Sequence, residues 1–141
     1  MAGDTRSGPG EYVLEGLAIP EALSELHDLL ETVGGDHPGL AAEDLMMFET
    51  AVIEVAGNVV EHGRPEGRVV YRFRLAVLPD RVVARLEDAG QEVDGDPGAP
   101  GLPDPLAEQG RGLALTRAVL DEFSYERLDG TNVWHLVRYR R

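Results

Sequence analysis

Apolar positions along the chain change period several times, and each change marks a new element. Residues Tyr12 to Ile19 are β-prone and predict an edge strand. Pro20 stands where a first helical turn tolerates proline. Leu23, Leu26, Leu30 and Val33 then recur at helical spacing, and Gly34-Gly35 reads as the end of that helix. After a loop through His37-Pro38-Gly39, a second helix is predicted from about Ala41 to His62. Its apolar stripe is Leu45, Phe48, Val52, Val55 and Val59, with Gly63 as a left-handed stop and Arg64 to Gly67 as a turn.

From Val69 the period becomes two. Val69, Tyr71, Phe73, Leu75 and Val77 alternate with arginines, and Val82, Ala84 and Leu86 do the same after the Pro79-Asp80 turn. These are half-buried strands, the second ending at Asp88-Ala89-Gly90. Gln91 to Gln109 has no periodicity and is rich in Pro and Gly, and long loops of this kind are often lids or binding loops. Gly110-Arg111-Gly112 closes it and opens a third helix, with Leu113, Arg117 and Leu120 beside Leu115, Val119 and Phe123 on adjacent stripes. Strands over Ser124 to Leu128 and Thr131 to Tyr139 finish the chain, joined by a strong hairpin signal at Asp129-Gly130. The order is strand, helix, helix, strand, strand, helix, strand, strand. It predicts an α/β domain over residues 11–141, a two-layer sandwich with a mainly antiparallel mixed sheet and helices on one face. Residues 1–10, small, polar and Gly/Pro-rich, read as a disordered tail without the basic-then-apolar order of a signal peptide.

Composition narrows the chemistry. No apolar run approaches the roughly 20 residues a membrane span needs, so no membrane association is expected. There are no cysteines, which excludes disulfides and thiolate metal sites and makes the cytoplasm the default location. The formal net charge is −13, which repels nucleic acid phosphates and suits a basic protein partner or plain solubility equally. All 13 basic residues are arginine. Without lysine, neither a P-loop nor the ordinary protein-kinase arrangement for ATP is available.

Three constellations could carry chemistry. Glu54, Asn58 and His62 fall at i, i+4, i+8 on the second helix, largely off its apolar stripe. A carboxylate and an amide about 6 Å apart along a helix can share one Mg²⁺ and one water or hydroxyl. A solvated polar face is the plain alternative, and His62 equally suits the helix C-terminal dipole. Asp88-Ala89-Gly90 ends a strand: the carboxylate can accept from an exocyclic amine, and the glycine lets a flat ring approach the backbone, although an ordinary turn has the same sequence. Gly110-Arg111-Gly112 before a helix N-terminus can form an anion site from backbone N–H groups, with Arg111 as a charged donor, or can merely be a loop exit.

Taken in this order, Glu-x-x-x-Asn on a helix, Asp-x-Gly after a strand and Gly-x-Gly-Leu opening a helix resemble the N, G1 and G2 boxes of the GHKL superfamily of Bergerat-fold ATPases. Within it, Glu54 to Gly63 and Gly110 to Phe123 are most similar to the stand-alone anti-sigma serine kinases, as is the Tyr125 to Thr131 hairpin. The resemblance spans about residues 11–141. It implies ATP and Mg²⁺ as cofactors, with Asp88 receiving the adenine amine and Gly90 admitting the ring. Asn58 would hold the metal, and Glu54 would act as general base toward a serine hydroxyl. Gly110, Arg111 and Gly112 would wrap the phosphates, Leu113 would follow on the lid helix, and Thr131 would lie near the adenine end. It further implies a STAS-domain antagonist carrying the acceptor serine, a sigma factor as second partner, and a homodimer. Two departures stand out: Glu92 occupies the second glycine position of Asp-x-Gly-x-Gly, and Ala89 replaces a commonly polar residue. Glu92 keeps open a module that sequesters a partner without phosphoryl transfer. The catalytic half of a histidine kinase is a third reading, and it would need a phosphoacceptor helix from elsewhere.

Overall fold

The strand edges and the apolar face of each helix find partners in a single two-layer arrangement. The structure is a computed structural model that describes residues 4–8, 10–62, 67–92 and 108–141, with side chains from residue 10 onward except at 108–112. In order the chain forms β1 (Asp4–Gly8), β2 (Glu11–Leu17), α1 (Glu21–Asp36), α2 (Ala42–His62), β3 (Val70–Val77), β4 (Arg81–Asp88), α3 (Glu108–Val119), β5 (Glu122–Leu128) and β6 (Thr131–Tyr139). The strands make one six-stranded sheet in the order β1-β2-β3-β4-β6-β5. Every ladder in it is antiparallel, so the described sheet is not mixed.

Alternation decides which side chains enter the core. Leu14 of β2, Phe73 of β3, Leu86 of β4 and Trp134 of β6 share one face and are 0–1% exposed. Leu26 and Leu30 of α1 and Phe48 and Val55 of α2 meet them, each fully buried. Each such side chain contributes roughly 1.5–3 kcal/mol by leaving water. Helix α1 packs on β2 and α2, α2 packs on β4 and β6, and α3 packs on α2 and β5. Asp129 and Gly130 both take positive φ, 49° and 78°, as the tight turn between β5 and β6 requires.

Four boundaries differ from the sequence expectation. Asp4–Gly8, expected in the disordered tail, pairs with β2, because the open backbone edge of β2 accepts a strand whatever its side chains. Helix α1 runs through Gly34-Gly35 to Asp36. A Cβ at Gly34 would lie 2.7 Å from Leu45 Cδ2, so this glycine serves the close approach of α1 and α2 rather than a helix stop. Phe123 leaves the helical stripe and joins β5, where it stacks on Trp134 at 6.1 Å. Helix α3 begins at Glu108, so Gly110-Arg111-Gly112 lies inside it. Gly63, the turn through Glu66 and most of the long loop fall outside the described residues.

One buried ion pair fastens the start of α2 to the sheet. Arg138 Nε donates to Asp44 Oδ1 at 3.0 Å, with side chains 9% and 3% exposed. Arg138 also donates to the Val119 carbonyl at 2.7 Å, and the Arg141 N–H donates to Asp44 Oδ2 at 2.9 Å. Asp44 lies in the first turn of α2, where a negative charge also meets the positive end of the helix dipole. Asp44→Ala would leave Arg138 buried and unpaired. It is expected to lower stability by about 3–5 kcal/mol in urea unfolding.

A second contact between α1 and α2 depends on pH. His27 lies between Glu49, which it meets in a short hydrogen bond, and Glu31 at 3.2 Å. The bond and charge of Glu49 raise the His27 pKa above 6.5. A raised folded pKa gives stability that is full below the unfolded pKa and is lost as pH rises through the folded value. Unfolding midpoints measured from pH 6 to 9 are therefore expected to fall across that window, and His27→Gln is expected to flatten the fall.

Candidate functional site

Asp88 is the last residue of β4 and shares the parity of Val82, Ala84 and Leu86, so alternation turns its carboxylate toward the helices. It is 4% exposed. Its Oδ1 accepts from the Gly90 N–H at 2.9 Å, closing a turn two residues on, and from Asn132 Nδ2 at 3.0 Å. Neither bond uses Oδ2. Burial pushes the Asp88 pKa above 3.8, and the Asn132 amide, the Gly90 N–H, the Trp134 indole and Arg127 pull against it. The indole N–H assists only through space, since it makes no hydrogen bond among the described residues.

Asn132 is held in turn. Register places it directly opposite Asp88 on β6, and its Nδ2 also donates to the Gln91 carbonyl at 2.8 Å. Its Oδ1 accepts from Tyr125 Oη at 2.6 Å and from Arg127 Nη1 at 3.0 Å. The same Arg127 nitrogen donates to the Gly90 carbonyl at 2.7 Å. A concavity of about 790 Å³ opens beside Asp88, with Leu17, Ile19, Tyr71, Ala89 and Thr131 in its wall.

The next expected residues lie on α2, no residue of which lines the concavity beside Asp88. Asn58 is 8% exposed, so the alternative of a solvated polar face does not hold for it. Its Nδ2 donates to the Glu54 carbonyl at 2.9 Å, one turn back. Only the amide nitrogen can make that bond, so Oδ1 is the atom available to a cation. Glu54 is half-buried, and its carboxylate has no ion pair among the described residues. His62, half-buried in the last turn, has a buried Nε2 without a partner among the described residues.

The remaining expected residues are placed less simply. Gly110 lies in the first turn of α3, so its backbone N–H is among those that a helix start leaves unbonded, while those of Arg111 and Gly112 are committed to the helix. The Arg111 side chain lies outside the described residues. Leu113, 8% exposed, packs into the core from α3. Thr131 is out of phase with Asn132, so it is Asn132 that meets the Asp88 carboxylate, while Thr131 lines the concavity. Tyr125, Arg127 and Asn132 are given no role by the sequence. The hairpin signal fixes Arg127 against Asn132, but the pairing of β6 with β4 is a long-range choice that the sequence leaves open.

The model of the histidine kinase-like ATPase domain matches residues 17–137, spanning the helix of Asn58, the strand of Asp88 and the hairpin of Asn132. The chain belongs to the histidine kinase-like ATPase family. Among curated proteins none matches it. Its fold is similar to that of the RsbU and RsbW domains of Rv1364c from Mycobacterium tuberculosis, with a TM-score of 0.62 and 22% identity over 92% of this chain. The chain spans 33% of the length of that protein chain.

Family membership implies nucleotide binding, and the described residues suit it. Asp88 offers a free carboxylate oxygen beside a concavity, and Asn58 offers an amide oxygen on the facing helix layer. Among the described residues no cluster of three acidic or histidine side chains could hold a metal alone. No described helix is long and apolar enough to cross a membrane. Asp88→Asn is expected to weaken adenine-nucleotide binding by about ten- to hundredfold in calorimetric titration, the worth of a hydrogen bond to a charged group. Wild-type binding is expected to fade as the pH drops toward the raised pKa of Asp88, at a higher pH than an ordinary carboxylate would give.

Proposed function

We propose that the chain is an ATP-dependent protein serine kinase of the anti-sigma type, acting on a serine of a STAS-domain antagonist and controlling a sigma factor. The observation that carries the proposal is the buried, hydrogen-bonded Asp88 at the end of β4, within a chain that belongs to the histidine kinase-like ATPase family. The likeness of Glu54 to Gly63 and of Gly110 to Phe123 to the anti-sigma kinases supports the narrower assignment.

In this reading each residue has one task. Asp88 accepts from the exocyclic amine of adenine, and Gly90, itself buried, leaves room for the ring. Asn58 Oδ1 is the protein's ligand to Mg²⁺, which neutralises charge on the phosphates when bound. Glu54 takes the proton from the serine hydroxyl, for which a carboxylate without an ion pair among the described residues is suited. The unbonded N–H groups at the start of α3 favour phosphate oxygens. Catalysis is then mainly positioning and charge neutralisation, as phosphoryl transfer requires.

A second reading is a module that binds its partner without transferring phosphate. Glu92 favours it, being an exposed carboxylate two residues after Gly90 at the root of the loop. Radiolabelled ATP and a STAS-domain protein separate the two readings. Glu54→Ala is expected to lower phosphate transfer by about 10²-fold or more while leaving ATP affinity within a few fold. Equal transfer by both proteins would remove Glu54 as base, and no transfer by the wild type would favour the sequestering module. Asn58→Ala is expected to abolish most of the gain in ATP affinity that Mg²⁺ confers, with affinity in chelator nearly unchanged.

A further inference from the structure

The hairpin formed by β5 and β6 does more than complete the sheet. Asn132 reaches Asp88 at the end of β4 and the Gln91 carbonyl, Arg127 reaches the Gly90 carbonyl, and Tyr125 holds Asn132. All four hydrogen-bonding sites of the Asn132 amide are directed. Nδ2 donates to Asp88 Oδ1 at 3.0 Å and to the Gln91 carbonyl at 2.8 Å. Oδ1 accepts from Tyr125 at 2.6 Å and Arg127 at 3.0 Å. Arg127 can only donate, and Asp88 Oδ1 and the Gln91 carbonyl only accept, so a flipped amide would set NH₂ against guanidinium and an oxygen against two acceptors. The amide is therefore locked in one orientation, with its NH₂ toward Asp88.

We propose that Tyr125, Arg127 and Asn132 form a positioning unit that fixes Asp88 as an obligate hydrogen-bond acceptor and thereby sets the preference of the pocket for a 6-amino over a 6-oxo purine. The inference rests on the reading of Asp88 as the base-recognising carboxylate. With Oδ1 occupied by two N–H donors, Oδ2 is left for the ligand and must accept. A 6-amino purine supplies the donor, while a 6-oxo purine presents a second acceptor and is repelled. Arg127 extends the unit to the backbone: by holding the Gly90 carbonyl while Asn132 holds that of Gln91, the hairpin fixes the root of the long loop against the same carboxylate.

Three variants test this with Mg-ATP and Mg-ITP in calorimetric titration. Asn132→Leu removes both donors and is expected to lower ATP affinity by about tenfold or more and to reduce the ATP-to-ITP ratio by a similar factor. Tyr125→Phe deletes one oxygen and leaves Arg127 on the amide. It is expected to lower the ratio in the same direction by a few fold, and it keeps the test alive if the leucine variant does not fold. Asn132→Asp places a second carboxyl beside Asp88, so one proton must be shared between them. Its ATP affinity is expected to rise as the pH is lowered from 8 to 6, opposite to the wild-type trend, which a merely structural role would not produce. An unchanged ATP-to-ITP ratio in folded Tyr125→Phe and Asn132→Leu proteins, or a pH trend in Asn132→Asp that parallels the wild type, would overturn the inference alone. A wild type that binds neither nucleotide would overturn the underlying reading of Asp88 and this inference with it.

Discussion

A carboxylate buried at the end of a strand is the constraint around which the site is built. Leaving such a group without partners costs several kcal/mol, and a protein can meet that cost by protonating the group or by aiming donors at it. Here donors converge from separate parts of the chain: the Gly90 N–H from the turn after β4, and the Asn132 amide from β6. Arg127 and Tyr125 hold that amide from β5. Burial still wins in part, and the Asp88 pKa stays above its ordinary value. A group so placed lines the concavity and keeps one oxygen outside these bonds.

The position of Asn58 depends on where α2 lies over the sheet. The Asp44–Arg138 pair pins the first turn of that helix to β6. Asn58 follows about 21 Å further along the helix axis, at its far end. Its carboxamide is oriented by its own helix backbone, through the bond to the Glu54 carbonyl, rather than by a partner across the interface. Thus the amide oxygen is presented without depending on the sheet, while the helix that carries it is located by the sheet. Asp88 and Asn58 are thus held by different means, the first by a hairpin and the second on a pinned helix.

Much of this was legible in the chain. The strands at 70–77, 81–88 and 131–139 follow from strict alternation, and the hairpin from Asp129-Gly130, because these signals are local. The long amphipathic α2 was visible for the same reason, and with it the pairing of Glu54 and Asn58 on one face. What could not be read was decided by contacts between distant segments. Gly34 looks like a helix stop until the nearness of Leu45 is known. The strand at Asp4–Gly8 has no side-chain pattern of its own and owes its existence to the open edge of β2. Asn132 looks like an ordinary strand residue until β6 is laid beside β4, which brings its amide to Asp88 and turns Thr131 the other way.

In the proposed function one purine nucleotide bridges the end of β4 and the far end of α2. A crystal of the protein grown with adenine nucleotide and Mn²⁺, measured at a wavelength where manganese scatters anomalously, tests it most directly. The proposed function requires an anomalous peak beside Asn58 Oδ1 and base density with its amine on Asp88. An anomalous peak remote from α2, or base density away from the end of β4, would contradict it.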